Sequence, residues 1–373
     1  MTDTARPSSA CPACGEALVD ASARFCEACG AAVAGSVAPT GGAEGAATAG
    51  PTSPVSTRET PGGDGCAHCG AEVGDDGYCL SCGMRTIEPI TVEDRGGCAF
   101  ATHRGRRHPR NEDSGALATT GEGWPILVVS DGVSASPNPH LASAAAVAAA
   151  ARELDGRPFT GGEDLARAVL AAHRAVCDVP AGGDPQWPDD GSHPACTIVV
   201  AVAATDAVHV ANVGDARAYL LTAGHAGDRW SATQLSADDS VAALAVEEGV
   251  QPAVALTLPG GHAITAWLGA DAPEDPEANL ATHPARAGDL LLACSDGLWN
   301  YAPTDESLAD QVDAVVPPAT ELLGTVAKAC EELVAWANGQ GGSDNICAAL
   351  AVVATEPDDP DDPDDPDDEE EAS

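Results

Sequence analysis

The sequence predicts an α+β fold built on antiparallel sheets and preceded by two small cysteine-rich repeats. Three observations carry this expectation. Short apolar, Val-rich segments follow one another across connections of only a few residues, and a parallel crossover needs a dozen or more. Segments of helical length come in blocks rather than in strict alternation with strands, which argues against a doubly wound sheet. Ahead of the apolar region, Cys-x-x-Cys pairs recur.

The elements follow in order. Residues 125–130 read as a buried strand running into Asp131-Gly132, and residues 141–154 as an Ala-rich helix without a breaker. A second helix is expected over 164–178. Strands over 197–203 and 207–213 flank Ala204-Thr205-Asp206, a hairpin signature. Further strands are expected over 216–222 and 289–294. Leu322, Val326, Leu333 and Trp336 recur at helical spacing within 318–338. A closing strand covers 346–353.

Composition narrows the function. Of 373 residues, 44% are hydrophobic and only 3% aromatic, so Ala and Val must fill the core. The formal net charge is -41. The Pro-Asp-Asp repeat of 356–373 supplies part of it and reads as a disordered acidic tail. The remainder is still strongly acidic, which disfavours nucleic acid and anionic membranes as partners. A phosphate-bearing substrate would need local positive charge, and bound divalent cations provide it. No segment reads as a signal peptide or membrane span, so a cytoplasmic, soluble protein is expected.

Of the fourteen cysteines, eight form Cys-x-x-Cys pairs, each followed by Gly. They are Cys11, Cys14, Cys26 and Cys29, then Cys66, Cys69, Cys79 and Cys82. Two such pairs make a four-thiolate tetrahedral site, and the glycine permits the sharp turn. The arrangement resembles the double zinc ribbon, with residues 1–30 and 66–86 as ribbons joined by a flexible Ala/Gly/Thr/Ser/Pro linker over 31–65. All-thiolate ligation implies structural Zn²⁺, one per ribbon, supplying folding energy. The ribbons carry only Arg24 as a cation between Cys11 and Cys29, and none between Cys66 and Cys82. A protein partner is therefore expected for them. Cys98, Cys177, Cys196, Cys294, Cys330 and Cys347 read as small core residues.

Carboxylates recur at the ends of apolar strands: Asp131 in VVSDG, Asp215 in NVGDAR, Asp296 in LLLACSDGLWN and Asp344 in GGSDNI, with Glu112-Asp113 in RNED. Each alone reads as a turn or cap residue. If they converge, they cannot all remain ionised without cations, and hard oxygen ligands suit Mg²⁺ or Mn²⁺. The series RNED, VVSDG, CTIVVA, NVGDARAYL, LSADDS, LLLACSDGLWN and GSDNIC resembles, in order, the motifs of the protein phosphatase 2C family over about 98–353. The resemblance implies an α-β-β-α sandwich over 90–355 and a serine/threonine protein phosphatase using two Mn²⁺ or Mg²⁺. By motif position, Asp131 bridges both cations, Asp296 and Asp344 complete one site, and Glu112 with the Gly132 carbonyl serve the other. Asp215 matches a third, weaker site; Asp113 and Asn345 match supporting positions. A hydroxide bridging the cations would attack phosphorus directly. Phosphorylated proteins are then the substrates, opposed by a serine/threonine kinase.

The chain departs from the family pattern in three places. The phosphate-binding Arg position is His108, flanked by Arg106, Arg107 and Arg110; either Arg107 or Arg110 is expected to take over. His108 itself either binds phosphate, donates a proton or simply hydrogen-bonds. Val133 replaces a His found in some members after the Asp-Gly, and Asn300 replaces an additional Asp, which weakens the case for a third metal. The competing reading is a catalytically inactive phosphoprotein-binding scaffold with zinc-ribbon partner modules.

Overall fold

The computed structural model describes residues 71, 80–81, 89–182, 191–224, 229–273, 276–316 and 324–353. The chain divides into two units, Met1–Asp64 and Gly65–Ser373, and every described residue belongs to the second. The eight paired cysteines, the linker 31–65 and the tail 356–373 lie outside the described residues.

Four strands open the domain: β1 (Thr91–Asp94), β2 (Cys98–His103), β3 (Asp113–Thr119) and β4 (Pro125–Asp131). Two helices follow, α1 (Pro139–Leu154) and α2 (Gly162–Cys177). Next come β5 (Ala195–Cys196), β6 (Ile198–Ala203), β7 (Ala207–Val213), β8 (Arg217–Ala223) and β9 (Trp230–Gln234). A helical segment, α3 (Val241–Glu247) and α4 (Pro252–Ala255), leads to β10 (Leu268–Gly269), β11 (Asn279–Pro284) and β12 (Leu290–Cys294). The chain closes with α5 (Asp296–Trp299), α6 (Asp305–Val315), α7 (Val326–Gln340) and β13 (Ile346–Val352).

One sheet has the order β1-β2-β13-β12-β8-β9, the second β11-β7-β6-β4-β3, and β10-β5 form a small pair. Every pairing is antiparallel. The period-two alternation of strand side chains builds three apolar layers. Leu291 and Ala293 of β12 face Leu127, Val129, Val199 and Ala201 between the sheets. The alternate residues Leu290, Leu292 and Cys294 face Leu298, Leu308, Cys330 and Leu333 of α5–α7. On the far side, Ile126, Val128, Ile198 and Val200 pack on Ala142, Ala146, Ala150 and Leu165 of α1 and α2. The alanines of α1 present almost no side-chain bulk, so this helix lies close on β3 and β4. Pro139 at its first turn starts the helix where its missing N–H costs nothing.

The expected strands and helices over 125–130, 141–154, 164–178, 207–213, 216–222 and 289–294 appear within a residue or two. The strand expected over 197–203 begins at Ile198, because Ala195 and Cys196 pair with Gly269 and Leu268 instead. Of the helix expected over 318–338, the described part runs Val326–Gln340. Cys177 corrects the reading of six core cysteines: it is exposed, whereas the other five are buried. It is the last residue of α2 and lies past the face that packs on the sheet. Among the described residues, no helix is long and apolar enough to cross a membrane.

Leu127 is fully buried between the two sheets. Leu127→Ala is expected to lower unfolding free energy by about 3 kcal/mol, the transfer loss plus a cavity that stiff strands cannot collapse. A urea denaturation midpoint compared with wild type measures it.

Candidate metal centre

The carboxylates gather where the two sheets end on the same side. Asp113 of β3 stands directly opposite Asp131 of β4. Asp296 follows β12 of the other sheet, and Asp344 sits in the turn entering β13. Asp215 occupies the tight turn between β7 and β8. The buried strands β4 and β12 that lead into Asp131 and Asp296 leave these two acids little freedom to withdraw. Asp113 and Asp215 are buried, whereas Asp131, Asp296, Asp344 and Glu112 are half-buried, so the cluster opens to solvent on one side.

Close backbone contacts hold these turns together. Gly132 N–H donates to the Glu112 carbonyl at 3.1 Å. A Cβ at Gly132 would lie 2.5 Å from the Pro139 carbonyl oxygen and 2.9 Å from that of Glu112. A Cβ at Gly297 would overlap the Asn345 carbonyl. Each Asp-Gly therefore needs its glycine for close approach of a second chain segment.

Asn345 is 2% exposed and joins three segments. Its Oδ1 accepts from Glu112 N–H at 2.8 Å, and its Nδ2 donates to the carbonyls of Arg104 and Arg110 at 2.7 and 3.0 Å. The 104–112 loop and the Asp344 turn thus move as one. Ser295 Oγ–H donates to Asp113 Oδ2 at 2.6 Å and accepts from Cys347 N–H at 2.9 Å. Ser134 Oγ–H donates to Glu112 Oε2 at 2.5 Å. Asn300 Nδ2 donates to Asp296 Oδ2 at 3.0 Å. His108 Nε2 lies 3.2 Å from Asp344 Oδ1. Arg110 Nη1 lies 2.9 Å from His140 Nδ1, and Arg107 is exposed on the same loop.

Burial, then the facing Asp113, Asp296, Asp215 and Asp344, push Asp131 well above the usual carboxylate range. Burial, then Asp215, Asp344 and Asp113, do the same to Asp296. Burial raises Asp113 to about 7 against the pull of Ser295. Burial, followed by Asp238, raises Asp215 to about 7. Asp131 pairs across the strands with Asp113, and carboxylates crowded in this way do not all stay ionised without a shared proton or cation.

The residues fit a pair of divalent cations. Asp113 Oδ1 and Asp296 Oδ1 are buried without a hydrogen-bond donor, so they are acceptor oxygens with nothing to accept. The donor set is all oxygen, which suits Mg²⁺ or Mn²⁺. Among the described residues, no three acidic, imidazole or thiol groups already surround a single point; the fit rests on charge and on these oxygens. The buried thiols offer no rival chemistry, since burial raises Cys196 to about 12 and pushes Cys294, Cys330 and Cys347 up as well.

Sequence reading missed Ser295, Ser134, Arg217, Asp238 and Trp299. Arg217 had a usable signal: a charge inside an apolar strand requires a buried acid, and LSADDS offers two acids downstream.

Residues 101–336 match the model of the protein phosphatase 2C family. The serine/threonine phosphatase stp of Listeria monocytogenes is 25% identical over 264 residues, covering 67% of this chain and 93% of that protein. The serine/threonine protein phosphatase PstP of Mycobacterium tuberculosis is 29% identical over 259 residues, covering 68% of this chain and 44% of PstP. The crystal structure of the PstP catalytic domain in complex with two manganese ions superposes with a TM-score of 0.53 at 26% identity, over 71% of this chain and 99% of that one. Stp1 of Staphylococcus aureus shares the fold, with a TM-score of 0.56 at 22% identity over 72% of this chain and 98% of that one. The chain belongs to the protein phosphatase 2C family.

The raised carboxylates make a stability prediction for metal-free protein. A folded-state value near 7 for Asp113 and Asp215, against 3.8 ordinarily, means the folded state takes up protons between about pH 4 and pH 7 while the unfolded state does not. Stability is then gained as pH falls through this window and lost as it rises. In chelator, the melting temperature is expected to rise as pH is lowered from about 8 to about 6. Asp131→Asn, which removes the central charge, is expected to melt higher than wild type in chelator at about pH 8. Differential scanning calorimetry measures both.

Proposed function

We propose that the chain is a metal-dependent phosphatase acting on phosphoserine and phosphothreonine in proteins. The observation that carries this reading is the convergence of Asp131, Asp296 and Asp344 from the ends of both sheets onto one half-exposed acidic site. The names of the stp and PstP relatives, and the two manganese ions of the PstP neighbour, support it.

In this reading Asp131, with Asp296 and Asp344 and with Glu112 and the Gly132 carbonyl, would hold two cations, and Asp215 would serve a weaker third. When bound, the cations neutralise the carboxylates, attract phosphoryl oxygens and lower the pKa of water. The chain's own residues do the positioning. Asn345 keeps the Glu112 and Asp344 segments in register, Ser134 aims Glu112, and Ser295 holds Asp113 behind Asp131. His108 pairs with Asp344 and so orients a cation ligand. Phosphate capture falls to Arg107 or Arg110, whose guanidinium forks match phosphate oxygens. With Val133 after the Asp-Gly, no imidazole follows that turn to protonate the leaving oxygen.

The eight N-terminal cysteines would hold two structural Zn²⁺, and the ribbons would dock a protein partner. The phosphatase would oppose a serine/threonine kinase acting on the same substrates.

Phosphate release from a phosphothreonine peptide tests the central reading. Wild type is expected to turn over only with added Mn²⁺ or Mg²⁺, and Asp131→Asn to lose on the order of 10²-fold or more in kcat. No turnover by folded, Mn²⁺-saturated wild type would favour a phosphoprotein-binding scaffold. Arg107→Lys and Arg110→Lys separate the two phosphate ligands: the one that binds substrate is expected to show the larger rise in KM. Elemental analysis of purified protein is expected to return two zinc atoms per chain, and a chain with Cys11, Cys14, Cys66 and Cys69 all replaced by Ser none.

A further inference from the structure

Arg217 is a cation at the start of an apolar strand, with its side chain only 7% exposed. Asp238, 9% exposed, accepts from it in a two-pronged contact: Nε lies 3.0 Å from Oδ1 and Nη2 lies 2.7 Å from Oδ2. The third nitrogen, Nη1, donates to the Tyr219 hydroxyl at 3.1 Å. The guanidinium carbon also sits 3.6 Å from the centre of the Trp299 ring. Trp299 in turn donates its indole N–H to the Asp215 carbonyl at 2.9 Å.

These contacts link two acids of the cluster. Trp299 ends the short helix that begins at Asp296, and Asp215 stands two residues before Arg217. Gly214, at φ 91°, completes the turn, and a Cβ there would lie 2.5 Å from Thr197 Cγ2. Its N–H is held by Asp239 Oδ2 at 2.9 Å. The turn bearing Asp215 is thus gripped on both flanks by consecutive acids, Asp238 and Asp239.

Simple core packing does not account for this choice of residues. A buried ion pair is generally no more stabilising than apolar residues of the same volume. What it adds here is direction: a planar fork fixed by Asp238, a ring lying under the guanidinium carbon, and a donor on the ring aimed at one carbonyl. We propose that Arg217, Asp238 and Trp299 are positioning residues that set Asp215 relative to Asp296 and so determine how tightly that side of the cluster holds a divalent cation. The inference rests on the reading of the cluster as a cation site.

The test is Mn²⁺ titration calorimetry on the full-length chain, paired with phosphatase activity across Mn²⁺ concentrations. Arg217→Lys keeps the charge but loses the planar fork. Trp299→Phe keeps a ring but removes the donor to Asp215. Both are expected to weaken Mn²⁺ affinity about tenfold or more, with kcat returning towards wild type at saturating Mn²⁺. Trp230→Phe makes the same indole-to-phenyl change behind the same sheet and is expected to bind Mn²⁺ as wild type does. Folded Arg217→Lys and Trp299→Phe that bind Mn²⁺ like wild type, with only a lowered melting temperature, would overturn the proposal while leaving the cation site intact. If Arg217→Lys fails to fold, Trp299→Phe decides by the same criterion. A wild type that binds no Mn²⁺ would overturn both readings together.

Discussion

The crowding of partly desolvated carboxylates at one end of the sandwich is the constraint on which the rest of this domain depends. Asp113, Asp131, Asp215 and Asp296 come from both sheets; burial pushes all four up, and neighbouring carboxylates add to it. Such a group is costly to assemble. The three apolar layers must outweigh it, and the strand ends must be stiff enough that the acids cannot swing away. The fully buried runs 126–129, 198–203 and 290–294 meet that requirement. So do the glycines at 132 and 297, which let neighbouring segments close on the Asp-Gly turns. Instability concentrated at one end of the sandwich is the physical counterpart of a site that divalent cations complete.

A ring of neutral donors manages the same charge. Ser295, Ser134 and Asn300 each donate a hydrogen bond to a cluster carboxylate, and Asn345 accepts one from the Glu112 backbone N–H. None adds a positive charge that would compete with a cation. Arg217 is the exception, and Asp238 pairs with it. The division suits a site whose positive charge arrives from solution: dipoles orient the ligands and leave their charge available.

Much of this was legible in the sequence because strand ends announce themselves. VVSDG and LLLACSDG place an acid after an apolar run, and the runs became β4 and β12 with Asp131 and Asp296 at their ends. The hairpin over 197–213 was equally plain, since Ala204-Thr205-Asp206 interrupts two Val-rich segments. What stayed hidden depended on tertiary partners. β1 is exposed along its whole length and exists because β2 pairs with it. β11 reads Asn-Leu-Ala-Thr-His-Pro and is held as an edge strand by β7. α6 was a lapse of a different kind, for Thr304 caps it with Ser307 in reciprocal contact, a signal available locally. His108, whose position leaves phosphate binding, proton donation and hydrogen bonding open, lies 3.2 Å from Asp344 Oδ1.

The site is proposed to hold two divalent cations against Asp131. Crystals grown with Mn²⁺ and measured by anomalous diffraction at the manganese edge test it most directly. Two peaks flanking the Asp131 carboxylate, one facing Asp296 and Asp344 and the other facing Glu112 and the Gly132 carbonyl, are the predicted result. An Mn²⁺-saturated crystal with no peak beside Asp131 would contradict it.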